Sequence, residues 1–288
     1  MINRIFLFRW YRKGAVSILD VDVSTFCRLV KMRNLGLLAI ISSEAVILRS
    51  YPLKESDKIV VAYTRKYGKL RGVAKGSRRI RSRFSGRLEP LSWVDLVAFE
   101  KENRELVSID KVELLKGFGL TFQDYQAYLR SCYLVELLEE TIPDREVNET
   151  LFRLILHVLP QLGNSQKSEV ATLYFQIWHL KLAGLLPDLA VCSGCGISFK
   201  SPLRIYYHPR QAGFLCESCQ KGRIHWLSWE SMKLLQCLIR RSLSDVVGVI
   251  RSSEEVRSLN ILVGDMMEIG FERRFDCLSL LNQEIGNF

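Results

Sequence analysis

Four cysteines fall into two matched pairs, Cys192-Ser193-Gly194-Cys195 and Cys216-Glu217-Ser218-Cys219, with twenty residues between the pairs. Two cysteines three apart in a tight turn can aim both sulfurs at one ion. Two such turns complete a tetrahedron with Zn–S bonds of about 2.3 Å. The intervening segment, GISFKSPLRIYYHPRQAGFL, is hairpin-like and too short to bury a core of its own, so a metal would staple it. The pattern predicts one structural zinc ion per chain on Cys192, Cys195, Cys216 and Cys219. Two disulfides or a redox dithiol are the competing chemistries, and the presence of two knuckles rather than one argues for the metal. Four protein ligands leave no open position for an activated water, and no H-x-E stands beside the knuckles, as a nucleobase deaminase needs. His208, inside the segment, and His225, just beyond it, are expected to be ordinary histidines.

The second candidate is a run of charge. Residues 73–86 read VAKGSRRIRSRFSG, with five Lys or Arg and no carboxylate. The surrounding window holds ten basic residues: Arg65, Lys66, Lys69, Arg71, Lys75, Arg78, Arg79, Arg81, Arg83 and Arg87. It holds no Asp or Glu, so it accounts for the whole net charge of +10 and the remainder of the chain sums to zero. Charge kept for solubility is usually spread and mixed in sign. Concentrated charge of one sign points to a polyanion, above all nucleic acid, although a solvated basic loop would have the same composition. Lys and Arg can neutralise successive phosphates while aromatic rings stack on bases. The expected contacts are Lys75, Arg78, Arg79, Arg81, Arg83 and Arg87. Phe84 is the expected stacking ring because it lies in the polar loop, and Tyr63 and Tyr67 are secondary candidates. Two rival readings fit the same features: a zinc-containing RNA-binding protein, and a non-enzymatic adaptor whose basic loop grips an acidic tail.

Enzymatic signatures are missing. No G-x-x-x-x-G-K-[ST] occurs; the nearest glycine pair, Gly72 and Gly76, is followed by Ser77. Neither G-x-S-x-G nor G-x-G-x-x-G is present. His157 and His179 sit in apolar helical patterns and are expected in the core, and Glu139 and Glu140 read as solvated charge. No catalytic residue and no nucleotide cofactor is expected.

These candidates must be held by elements that the pattern announces. EAVILRS, KIVVAYT, KLRGVAKG, LSWVDLVAF and ELVSIDKVELL are five short β-rich runs between residues 44 and 115. In LSWVDLVAF, Val94, Leu96 and Ala98 alternate against Trp93, Asp95, Val97 and Phe99, the period of a half-buried strand. Five such strands with internal glycines predict a small closed or partly open barrel. After Gly117 the period becomes helical: DYQAYLRSCYLVELLEETI, NETLFRLILHVLPQL and SEVATLYFQIWHLKLAGLLP precede the cysteines, and WESMKLLQCLIRR and EEVRSLNILVGDMMEIGFERR follow them. With 288 residues, 48% apolar and 25% charged, the chain has the balance of a folded protein of two or three domains. No run approaches a membrane span, and Asp20 and Asp22 interrupt the only stretch resembling a leader. The remaining cysteines, Cys27, Cys132, Cys237 and Cys277, are scattered singly, which suits a reducing, cytoplasmic compartment better than a disulfide framework.

Read together, the segment EAVILRSYPLKESDKIVVAYTRKYGKLRGVAKGSRRIRSRFSGRLEPLSWVDL, the helix FQDYQAYLRSCYLVELLEET and the CSGC…CESC pair resemble the RecO family of bacterial DNA-repair and recombination-mediator proteins. The resemblance covers about residues 43 to 285. It implies an α+β chain in three parts: residues 1–42 as an N-terminal extension, 43–118 as a five-stranded OB-fold, and 119–288 as a helical domain with a zinc finger set into it at about 190–224. It also implies binding of single- and double-stranded DNA and annealing of complementary strands without ATP. The partners it implies are RecR and the acidic tail of single-stranded-DNA-binding protein, on DNA where RecA is loaded. Some members lack the cysteines; this chain keeps all four. Members usually begin just before the first strand, near Met32 here, so residues 1–31 are assigned no function and are expected to be poorly ordered or to follow from an upstream start codon.

Overall fold

The computed structural model describes residues 38–101, 104–118, 124–200, 204–220, 225–250 and 253–286. The β-branched runs form β1 (Leu38–Leu53), β2 (Asp57–Thr64), β3 (Gly68–Ala74), β4 (Ser92–Lys101) and β5 (Val107–Gly117), closed into a barrel in the order β1-β2-β3-β5-β4. All pairings are antiparallel except β3 with β5, which runs parallel through Gly72–Ala74 and Val107–Ile109. β1 begins five residues before the expected boundary at 43, because residues 38–42 continue its ladder against residues 97–101 of β4. The remainder of the expected N-terminal extension, residues 1–37, lies outside the described residues.

Strand alternation works as the pattern implied. Val94, Leu96 and Ala98 of β4 point into the barrel with Ala45, Ile47, Val60, Ala62, Leu70, Val107, Ile109 and Val112. The opposite face of the first two strands, with Val46, Leu48, Val61 and Tyr63, does not meet solvent. It joins the core of the helices that follow. Those helices are α1 (Tyr125–Thr141), α2 (Glu149–Leu162) and α3 (Ser165–Leu182), then, after the cysteine segment, α4 (Trp229–Arg240), α5 (Leu243–Val249), α6 (Glu254–Phe271) and α7 (Asp276–Gly286). Side chains cap several of them: Asp124 accepts from Ala127 N–H, Asn148 from Leu151 N–H and Ser228 from Ser231 N–H, each filling an orphan donor of the first turn.

Between α3 and α4 lies a three-stranded sheet, β6 (Ile205–His208), β7 (Gly213–Cys216) and β8 (His225–Leu227), in the order β7-β6-β8. Its inner face is not left to a metal alone: Ile205, Tyr207, Phe214 and Leu227 share one face and are buried within the helical core, while Leu215, on the opposite face, is buried beside Gly194 of the first cysteine pair. Among the described residues no helix is long and apolar enough to cross a membrane.

Two expectations about single residues change. His157 is on the outer face of α2, its Nδ1 2.7 Å from Arg153 O, and does not enter the core. Glu139 is not solvated charge: its side chain is mostly buried, 2.7 Å from the Arg49 guanidinium of β1. That contact is an ion pair without hydrogen-bond alignment, since the same carboxylate oxygen has no hydrogen-bond partner. Glu140 is exposed and pairs with Arg273. His179 is in the core as expected, stacked between Phe175 and Phe271 at 5.4 and 5.2 Å between ring centroids.

Candidate nucleic-acid interface and metal centre

The seven residues of β3 separate the two ends of the basic window. At about 3.3 Å per residue that is roughly 20 Å of strand. The β2–β3 turn lies at one end and the β3–β4 loop at the other, so the ten cations of the window do not form a single cluster. At the first end, Arg65 pairs with Glu44 of β1 and with Glu149 at the start of α2, which raises its already high pKa. Lys69 is buried, donates to Glu139 O and sits 3.5 Å from Asp144; Arg71 is 4.0 Å from the same carboxylate. Arg145 N–H donates to Lys69 O at 3.0 Å. Gly68 makes this approach possible. Its φ is +66°, and a Cβ there would lie 2.3 Å from Glu146 O. These cations tie the barrel to the helices.

The β3–β4 loop at the other end is built differently. Asp57 accepts from Gly76 N–H at 2.8 Å and from Ser56 Oγ at 3.0 Å, and those donors hold its carboxyl below the ordinary range. Arg78 donates through its backbone to Ser56 O and through its guanidinium to Lys54 O, both at 3.0 Å. Farther along, Arg87 donates to Val112 O at 3.0 Å, and Leu91 N–H donates to Ile47 O at 2.8 Å. Phe84 and Leu88 turn inward and plug the barrel.

That plug corrects the stacking assignment. Phe84 is only 2% exposed, so its ring is unavailable to a base. Tyr63 is fully buried and packs 6.1 Å from Phe152, and Tyr67 packs on the barrel core. Arg83 lies over the Phe84 ring at 4.9 Å and 3.3 Å from Asp110. Lys75, Arg78, Arg79 and Arg81 are exposed, and among the described residues none of the four is held in an ion pair. The loop therefore carries four free cations on an anchored backbone, with Arg83 and Arg87 beside them. Lys54, exposed in the β1–β2 turn that the loop grips, lies outside the basic run in sequence and belongs to this end of the barrel. So does Ile80, the only apolar residue between Lys75 and Arg83, at 101% exposure.

The cysteines converge. The sulfurs of Cys192, Cys195, Cys216 and Cys219 lie within 4.8 Å of one another, with Cys195 and Cys216 3.7 Å apart. A tetrahedron with bonds of about 2.3 Å has edges of about 3.8 Å, whereas a disulfide needs about 2.05 Å. Burial opposes ionisation of Cys192, but backbone N–H donors at Cys216, Cys195 and Gly194 outweigh it and bring its pKa down to about 6. Two of those donors stand 3.3 and 3.4 Å from the sulfur. Such donors stabilise a thiolate, the form that binds metal. The knuckle is tight at Gly194, where a Cβ would lie 3.1 Å from Cys219 Cβ and 3.2 Å from its sulfur and would push on that ligand. The donor set fits a metal ion. His208 is apart from it, its Nδ1 accepting from Gln211 N–H at 3.3 Å.

Comparison with known proteins matches both halves. Residues 38–118 match the family model described as recombination protein O N terminal, and residues 122–265 match recombination protein O C terminal. The chain is 32% identical over 241 residues to the DNA repair protein RecO of Koribacter versatilis, covering 84% of this chain and 98% of that one. It is 31% identical over 243 residues to the DNA repair protein RecO of Bifidobacterium adolescentis, covering 83% and 98% respectively.

Proposed function

Because this chain belongs to the recombination protein O family, we propose that it serves DNA repair and homologous recombination as a mediator that binds single- and double-stranded DNA and anneals complementary strands without ATP. The observation that carries the reading is the anchored β3–β4 loop, with Lys75, Arg78, Arg79 and Arg81 exposed and, among the described residues, none of them held in an ion pair. Annealing needs no catalytic side chain. Two strands repel through their phosphates; cations that hold one strand lower that repulsion for the second and raise the local concentration of both. An anchored loop loses little entropy on binding, so more of the phosphate attraction appears as affinity.

Zinc is the proposed metal, because four thiolates at tetrahedral spacing are its usual structural set. Bound there, it would fasten both knuckles to a sheet whose inner face is already in the helical core. Cooperation with RecR and with the acidic tail of single-stranded-DNA-binding protein during RecA loading belongs to the same proposal. A cavity of about 330 Å³, with Leu186, Leu189 and Ile239 beside the cations Lys181 and Arg240 and the single carboxylate Asp188, is the candidate place for that acidic tail.

The test is strand annealing without nucleotide, run with metal analysis on the same sample. Accelerated annealing by a protein holding one zinc per chain is the expected result. A zinc-loaded protein that leaves the spontaneous rate unchanged would overturn the annealing activity.

A further inference from the structure

We propose that Ile80 is the residue of the β3–β4 loop that meets the bases: an aliphatic wedge that enters between neighbouring bases of a bound single strand and holds them apart. The inference rests on the nucleic-acid reading above and supplies what that reading lacks, a non-polar contact. The loop's one aromatic ring is committed to the barrel interior, Tyr63 is fully buried, and Tyr67, partly buried, packs on the barrel core from the β2–β3 turn at the other end of β3. Ile80 is the opposite case, wholly exposed at 101% and placed between Arg79 and Arg81. Phosphates drawn to its neighbours bring the bases of the same strand within a side chain's length of it.

An isolated exposed apolar residue needs no explanation on its own. Here the loop is tied on either side of it. Arg78 is tied to Ser56 and Lys54 on one side, Phe84 is buried on the other, and Arg83 lies over that ring. Those ties shorten the segment that must be ordered when Ile80 enters a gap. Apolar wedges, isoleucine among them, part base steps in many proteins that kink a duplex. A single strand offers less resistance than a duplex, because no pairing is lost. The chemistry also suits a strand that must later pair. An aromatic platform retains bases by stacking, whereas isoleucine has no π-face, so it separates bases without competing strongly for them.

The experiment uses the full chain and a single-stranded oligonucleotide carrying 2-aminopurine within a purine run, with an end label for affinity. Wild-type protein should raise the 2-aminopurine fluorescence on binding, reporting lost stacking. Ile80→Ala should remove that rise and weaken binding roughly ten-fold, the scale of a lost buried aliphatic group. Its salt dependence should be unchanged, since no cation is removed, and Ile80→Leu should restore the rise. The exposed position makes both variants neutral for folding, checked by their melting temperatures. Binding by wild-type protein with flat fluorescence, or an Ile80→Ala variant equal to wild type in affinity and fluorescence, overturns the wedge and leaves the loop reading standing. A wild-type chain that fails to bind the oligonucleotide overturns both.

Discussion

Consider the replacement of Lys75, Arg78, Arg79 and Arg81 together by alanine. All four are exposed, and among the described residues none is held in an ion pair; only Lys75 is near enough to Asp57 to act on its carboxylate. If each meets one phosphate of a single strand, each contributes about 0.7 to the slope of log affinity against log salt, so the slope loses about 2.8 in magnitude. With the two proteins equal near 1 M salt, where the ionic contribution vanishes, the variant at about 0.1 M binds roughly 600-fold more weakly. Arg83 stays because its charge is already shared with Asp110 and the Phe84 ring. The fold should persist: the one structural contact removed is the Arg78 hydrogen bond to Lys54 O, with a net value of about 1 kcal/mol. Fluorescence anisotropy across a salt series measures the slope. Arg65→Ala is the internal control, a cation of the same window tied to Glu44 and Glu149 at the other end of β3. It should move the slope by less than about 0.7. A quadruple variant with the wild-type slope, or an Arg65→Ala change as large as the quadruple one, would refute the assignment of free charge to the loop.

Phe84→Ala should destabilise the protein by about 3–5 kcal/mol in denaturant unfolding, because the ring plugs the barrel. Its salt slope should match wild type under conditions where the variant is folded, and a stable variant with weakened binding would return Phe84 to the interface. Cys192→Ser should abolish metal binding in elemental analysis and lower the melting temperature, since Cys192 and Cys216 are buried in the core. An unaltered melting temperature would show that the metal is dispensable for the fold. Burial holds the His179 pKa down at about 4, against about 6.5 for a free imidazole. The unfolded chain therefore takes up a proton in this window that the folded one refuses, so stability is lost as pH falls from about 6.5 to 4, by up to about 3 kcal/mol. Replacing His179 by Phe should remove that dependence from unfolding curves measured at pH 7 and pH 4.5, and an undiminished acid slope would place its origin elsewhere.

Much of this was legible without coordinates. The cysteine spacing carries its own geometry, because two C-x-x-C turns can meet at one point once a hairpin joins them. The barrel strands and the main helices showed in periodicity, because burial of one face imposes period two on a strand and 3.6 on a helix. Phe84 shows where such reading fails. Outside any periodic element, nothing local separates a side chain that faces solvent from one that turns back as a plug. Ile80 left only a faint signal, an apolar residue in an arginine run, and its exposure depends on where the loop backbone is tied.

The amino-acid sequence by itself determined the cationic run, the metal-binding spacing, the order of five strands and then helices, and the family. Each is encoded in residues close along the chain. Only the tertiary structure decided which cations are free. The β2–β3 turn and β3 carry Arg65, Lys69 and Arg71 toward carboxylates on β1 and around the start of α2, more than seventy positions away for Glu149 and Asp144, and the far end of β3 leaves Lys75, Arg78, Arg79 and Arg81 without ion-pair partners among the described residues. Whether a charge is spent inside a fold or offered to a ligand depends on distances in space, and those exist only once the barrel has closed and docked.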